Sequence, residues 1–265
     1  MKIAVLGARG FVGSNLSSYL KDYYKVFDIT RDKVNLLDPR QVKDLLRENK
    51  FDVVLNCAAK MTNDATLDDA RNNLGMFMNF YENSHYFGQF INTGSGAEFD
   101  RTKNINLKLE EELFNEMPLD SYGWGQNLKS RLCYDKDNFY TIRIFNCFGK
   151  GEPEGRIFPR YLSKSETIKI TNDRYFDYFG IQDLCTVIKS CIEDAWDFKD
   201  VNAVYEDKYK ISEVLSKFCE LNGLDKDFEI CSVSNNNYTG NFEKLKSLNL
   251  PLLGLNTALK NYQRI

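Results

Sequence analysis

The chain is expected to be an α/β protein, a doubly wound parallel sheet with a smaller C-terminal lobe. Three observations predict this. Short apolar runs of strand length alternate with amphipathic segments of helix length through the first half. A glycine-rich stretch, "GARGFVG", joins the first strand to the first helix. After Asn146 the alternation loosens into shorter, more polar segments, as a second lobe would require.

The elements follow in order. "KIAVL" reads as a buried strand, and "GSNLSSYLKDY" as a helix with Leu16, Tyr19, Leu20 and Tyr23 on one face. "YKVFDI" is a second strand. "DPRQVKDLLREN" is a helix capped by Asp38, with Pro39 in its first turn and Val42, Leu45 and Leu46 facing inward. "FDVVLNCAA" is a third strand, "LDDARNNLGMFMNFYENS" a helix and "GQFINTGS" a fourth strand; "SYGWGQ" opens another helix, and "NFYTIRIF" is the next strand. Such alternation implies a parallel sheet with helices on both faces. "GKGEPEGR" is a polar link, "IFPRYLSKSETIKITND" a short helix and strand, "IQDLCTVIKSCIEDA" a returning helix and "VNAVY" the last sheet strand. The expected division is 1–149 with 176–205 as the nucleotide domain, and 150–175 with 206–265 as the second lobe.

Composition narrows the function classes. At 265 residues the chain can bury a large core, and 43% apolar with 28% charged residues is ordinary for a soluble globular protein. A net charge of −3 argues against nucleic acid as a partner, and the apolar runs are too short to span a bilayer. The opening "MKIAVLGARG" enters a strand at once, with no signal-peptide pattern. Seven scattered cysteines without a CxxC read as thiols of a reducing cytoplasm. With a single histidine, His85, a zinc site is not expected.

In "GARGFVG" a strand must turn sharply into a helix while a pyrophosphate approaches the backbone. Glycine has no Cβ to obstruct either, and the helix N-terminus offers N–H groups and a positive dipole. Gly7, Arg9, Gly10, Phe11, Val12 and Gly13 are therefore the expected dinucleotide contacts, although the same turn can be purely structural. The second strand ends in "FDITR", which carries two signals. Asp28 suits free ribose hydroxyls and hence NAD; Arg31 and Arg9 suit a 2′-phosphate and hence NADP. Two cations match a dianion, so NADP is expected, with NAD as the alternative. Leu37 and Asp38 would flank the adenine. Each of these charges could equally be a solvated loop residue.

The glycine turn, "INTGSGAEFD", "SYGWGQ" and "RIFNCFGK" occur in an order that resembles the extended short-chain dehydrogenase/reductase family, the nucleotide-sugar epimerases, dehydratases and reductases. The likeness covers nearly the whole chain. "TRDKVNLLDPRQVKDLLRENKFDVVLNCAAK" looks nearest to the GDP-L-fucose synthase and dTDP-4-dehydrorhamnose reductase branches. The resemblance implies a Rossmann-type fold, a substrate-binding second lobe and a homodimer. It implies that Ser95 is the catalytic hydroxyl and Tyr122 the general acid/base. Ala58, Ala59, Lys60 and Asn73 would lie beside the cofactor, and Asn146 by the substrate diphosphate. Chemically the roles cohere: Tyr122 exchanges a proton with the oxygen of the carbon that gains or loses hydride, and Ser95 hydrogen-bonds that oxygen.

The pattern also breaks. The family's YxxxK motif ends here in Gln126, which can hold the nicotinamide ribose through its amide but cannot stabilise a phenolate. Lys129 is nearly two turns from Tyr122, roughly 10 Å along the axis, and is not expected to substitute. Reduction of a ketone needs only a protonated tyrosine, the default state for a phenol with a free pKa of about 10. Ser95 is followed by Gly96 and Ala97 rather than the dehydratases' Asp-Glu pair, and the epimerising cysteine and histidine are missing. Phe176 stands where many relatives have a diphosphate-binding arginine, leaving Arg156, Arg160 or Arg174 for that role. The expected function is an NAD(P)H-dependent reductase of a keto-sugar nucleotide in deoxysugar or surface-glycan synthesis. A nucleotide-sugar 4-epimerase and a non-catalytic dinucleotide-binding relative are the alternatives.

Overall fold

The computed structural model describes residues 1–59, 66–163, 167–194 and 196–262. In chain order the first half contains β1 (Lys2–Leu6), α1 (Phe11–Leu20), β2 (Lys25–Ile29), α2 (Pro39–Asn49), β3 (Val53–Asn56), α3 (Leu67–Tyr81), β4 (Gln89–Ser95), β5 (Ile105–Lys108), α4 (Ser121–Cys133) and β6 (Phe139–Ile144). Then come β7 (Cys147–Phe148), α5 (Ile157–Ser163), β8 (Ile168–Ile170), β9 (Phe179–Gly180), α6 (Ile181–Glu193) and β10 (Asp200–Ala203). The chain continues through α7 (Ile211–Asn222), β11 (Phe228–Ile230), β12 (Tyr238–Gly240), α8 (Glu243–Ser247) and α9 (Leu255–Lys260).

The central sheet has six parallel strands in the order β10-β6-β4-β3-β1-β2. The chain leaves β1 for β2 on one side, and β3 then adds on the other. Strand order therefore reverses at β1, the place where open α/β sheets leave a crevice beyond their carboxyl ends. Local chemistry sets the helices that frame it. Asp38 caps α2 by accepting from the N–H of Arg40 at 2.9 Å, and Thr66 with Asp69 forms a reciprocal capping box on α3. Asp120 caps α4 by accepting from the N–H of Gly123 at 2.8 Å.

Each face of the sheet has its own core. Leu16 and Leu20 of α1 pack with Leu184, Val187 and Ile188 of α6 on one side. On the other, Phe77 and Phe80 of α3 meet Phe90 and Phe139, whose rings stack at 4.6 Å. Val42 and Leu46 are buried there as the helix periodicity requires. Tyr23 departs from expectation: α1 ends at Leu20, and the ring is 53% exposed.

The rest of the chain adds small parallel pairings, β7 with β9, β8 with β11 and β5 with β12. The last ties the C-terminal segment back beside the end of β4. No helix among the described residues is long and apolar enough to cross a membrane.

Candidate active site

A cavity of about 420 Å³ opens at the strand-order reversal, walled by the ends of β1, β2 and β3. Gly7 and Gly10 form its floor. Gly7 has φ +72°, a left-handed conformation, and a Cβ on Gly13 would lie 2.3 Å from the Gly7 carbonyl oxygen. The turn thus tolerates glycine alone at both places. α1 begins at Gly10 with no side-chain cap and no acidic residue in its first turn, which leaves its leading N–H groups suited to an anion. Phe11 and Val12 are half-buried and pack toward the core from that turn.

Arg31, Leu37, Ala58, Ala59 and Asn73 also line this cavity. Asp28 does not. Its carboxylate is taken by Ser17 on α1 and by Lys21, just past the end of that helix, at 2.6 Å. Burial alone would raise its pKa, but Lys21 and Ser17 prevail and hold it below the usual carboxylate range. In this structure the Asp28 carboxylate is turned toward Ser17 and Lys21 rather than toward the cavity. Arg9 pairs with Asp32 at 2.8 Å on the exposed rim, and Asp38 is engaged in capping α2. Lys60 lies outside the described residues.

Ser95 ends β4 and caps a 3₁₀ turn over Gly96–Glu98, accepting from the N–H of Ala97 at 3.2 Å. Tyr122 is the second residue of α4, and its phenol interacts with the Ser95 hydroxyl and with the Gln126 amide one turn on. Burial raises the Tyr122 pKa; Ser95 and Gln126 oppose the rise, Glu98 adds to it, and Arg101 opposes it. The phenol is therefore protonated at neutral pH. Gln126 is 2% exposed, and its Oε1 is buried without a hydrogen-bond partner.

Three neighbours escaped the sequence reasoning. Glu98 lies beneath Ser95, and its Oε1 accepts from the Ser95 N–H at 2.8 Å. Arg101 grips Asp120 with two N–H groups at 2.7 and 3.3 Å, its guanidinium carbon 6.0 Å from the centre of the Tyr122 ring. Both follow Ser95 within "GSGAEFDR", so proximity in the chain was the available signal. Tyr238, from β12, interacts with the Ser95 hydroxyl, and nothing local in the sequence marks it.

Elsewhere, Arg160 and Arg174 line a cavity of about 300 Å³ together with Lys169 and Asn172. Arg174 also donates to the Asn236 carbonyl at 2.9 Å and lies over the Phe176 ring. Arg156 is not in this cavity: it donates to the Cys147 carbonyl at 2.7 Å and lies 3.6 Å from Glu152. Those contacts tie it to its own loop. Asn146 sits between β6 and β7, its carbonyl accepting from Phe179 at 2.8 Å.

Comparison with known proteins is consistent with this geometry. The model of the NAD dependent epimerase/dehydratase family matches residues 3–203. The GDP-6-deoxy-D-talose 4-dehydrogenase of Aggregatibacter actinomycetemcomitans is 23% identical over 240 residues, 83% of this chain and 80% of its own. The dTDP-4-dehydrorhamnose reductase of Burkholderia thailandensis is 27% identical over 184 residues, 66% of this chain and 60% of its own. Among solved structures, a GDP-mannoheptose C4 reductase from Campylobacter jejuni with NADP bound superposes with a TM-score of 0.82 at 19% identity. That match covers 99% of this chain and 97% of the other.

Proposed function

Since the chain belongs to the NAD dependent epimerase/dehydratase family, we propose that it is an NADPH-dependent reductase of a keto-sugar nucleotide, serving deoxysugar or surface-glycan synthesis. The observation that carries the reading is the protonated Tyr122 beside Ser95, with an amide rather than a cation one turn along the helix. A ketone becoming an alkoxide needs a proton and a hydrogen-bond donor at its oxygen, and a neutral phenol with a serine hydroxyl offers both. A 4-epimerase must first remove a hydroxyl proton, which calls for a phenolate that this site disfavours.

The residues present fit a dinucleotide. The glycine floor of the cavity has room only for backbone, Arg31 offers a cation for a 2′-phosphate, and the orphaned Gln126 Oε1 can accept from a ribose hydroxyl. NADP is thus favoured over NAD. The bound nicotinamide would supply hydride. The chain's own work is the rest: Ser95 fixes the carbonyl oxygen, Tyr122 gives it a proton, and Gln126 orients the ring-bearing ribose. In this reading 150–175 and 206–265 form the substrate lobe, with Arg160 and Arg174 at the diphosphate. A homodimer along α3 and α4 in a reducing cytoplasm completes the reading, supported by unpaired cysteines and exposed Leu67 and Leu119.

NADPH consumption with a panel of 4-keto-6-deoxy nucleotide sugars tests the proposal. Turnover is expected with at least one, and Tyr122→Phe should lower it by roughly 10²- to 10⁴-fold while NADPH still binds. Sugar conversion without cofactor consumption would instead mean an epimerase. Saturable NADPH binding with no turnover on any substrate would mean a non-catalytic relative.

A further inference from the structure

Ser95 is useful to a reductase only if its single proton points at the substrate. A hydroxyl has one proton and two lone pairs, and what fills the lone pairs decides where the proton goes. The Ala97 N–H occupies one side of Ser95 Oγ at 3.2 Å. On another side stands Tyr238, a residue of the C-terminal segment, 6% exposed. Its ring is stacked on Phe176 at 5.0 Å and set edgewise to Phe145 at 5.1 Å, and its N–H donates to the Tyr175 carbonyl at 2.9 Å. These contacts aim the phenol over the start of the 3₁₀ turn. A Cβ on Gly96 would lie 2.7 Å from the Tyr238 oxygen and 2.5 Å from the Phe145 ring, so glycine is what lets the phenol reach Ser95. This gives a physical reason for Gly96, which follows Ser95 where the dehydratases carry an acid.

We propose that Tyr238 is a positioning residue for Ser95: its phenol donates to Ser95 Oγ beside the Ala97 N–H, which commits the serine proton to the side of Tyr122 and the substrate oxygen. The catalytic consequence rests on the reductase reading above, whereas the hydrogen-bond polarity does not. Burial keeps Tyr238 protonated and hence a donor.

Two variants and one spectroscopic readout test this. Tyr238→Phe keeps the ring stacking and removes only the hydroxyl. It should lower kcat for the keto-sugar nucleotide about fivefold to tenfold, with KM for NADPH unchanged. Gly96→Ala should push the phenol away and act in the same direction, and the double variant should be no worse than the poorer single one. Independently of activity, the ¹³Cζ signal of Tyr122, assigned with Tyr122→Phe, reports whether Ser95 donates to it. In Tyr238→Phe that signal should move toward its position in Ser95→Ala. An unmoved signal, or two single effects that simply add, overturns the assignment. A moved signal in a protein that turns over no substrate upholds the Tyr238 assignment and defeats the reductase reading instead.

Discussion

The backbone N–H of Ser95 donates to Oε1 of Glu98 at 2.8 Å, while Oε2 of that carboxylate takes Nε of Arg143 at 2.6 Å. Arg143 continues to Asp200 at 2.9 Å and Asn202 at 3.0 Å, and all these side chains are fully buried. The candidate catalytic serine therefore rests on a buried ion-pair network anchored in β6 and β10, not on a pliable loop. The network is costly to break. Arg143→Met would leave Glu98 without its buried cation and Asp200 with only Lys244, at 3.2 Å, and a loss of about 3–5 kcal/mol in unfolding free energy is expected. Urea denaturation measures it; a loss below about 1 kcal/mol, in the range of an exposed pair, would contradict this account.

Arg31 lines the cavity beyond β2 while Asp28 is bound by α1. Cofactor choice should therefore hinge on the arginine. Arg31→Ala is expected to weaken NADP binding by about tenfold to hundredfold, the range of one charge-assisted hydrogen bond, and to leave NAD binding nearly unchanged. Titration calorimetry with both dinucleotides decides this. Equal losses for the two would remove the 2′-phosphate from the argument.

Lys129 is 1% exposed on the face of α4 that carries Gln126, and it makes no hydrogen bond or ion pair to any described residue. Burial lowers its pKa to about 8, against Glu98 and Cys133, which pull it up. Because the folded value lies below the unfolded one, the unfolded chain holds the extra proton between them, and stability rises with pH from about 8 toward the free value of 10.5. Lys129→Met should abolish that rise and add roughly 3 kcal/mol at pH 7. Unfolding curves at pH 7 and pH 9.5 would show it; a variant less stable at pH 7 would mean the ammonium is better solvated than its burial implies.

How much of this was legible follows from which forces are local. The glycine turn, the cap at Asp38 and the apolar faces of α2 and α3 are governed by neighbours a few residues away, and they read directly. The approach of Ser95 to Tyr122 is set by a parallel sheet whose strands order themselves by their apolar runs. The contacts of Asp28 were not legible because a strand residue can face either side of its sheet, and only the fold brings it to Ser17 on α1 and Lys21 just after it. Tyr238 was invisible because β5 and β12 are short, polar and far apart in sequence, so only the folded chain pairs them. Arg143 sits in an apolar strand run, and its charge becomes intelligible only when Glu98 arrives from the turn after β4 and Asp200 from β10.

Gln126 is the position where a single change should alter the direction of the chemistry. Burial holds the Tyr122 phenol above its ordinary pKa, against the opposing pull of Ser95 and the Gln126 amide. A protonated phenol serves ketone reduction but is useless for taking a proton from an alcohol. Gln126→Lys would put a cation one turn along the helix from Tyr122 and favour its phenolate. Oxidation of the sugar alcohol by NADP⁺, which should rise only at high pH in the parent protein, is expected to rise at a pH lower by about one unit or more. Over the same range ketone reduction should weaken as the phenol loses its proton. The pH profiles of both directions, measured side by side, test this. An alkaline limb that stays where it was would show that Tyr122 ionisation does not govern the proton step.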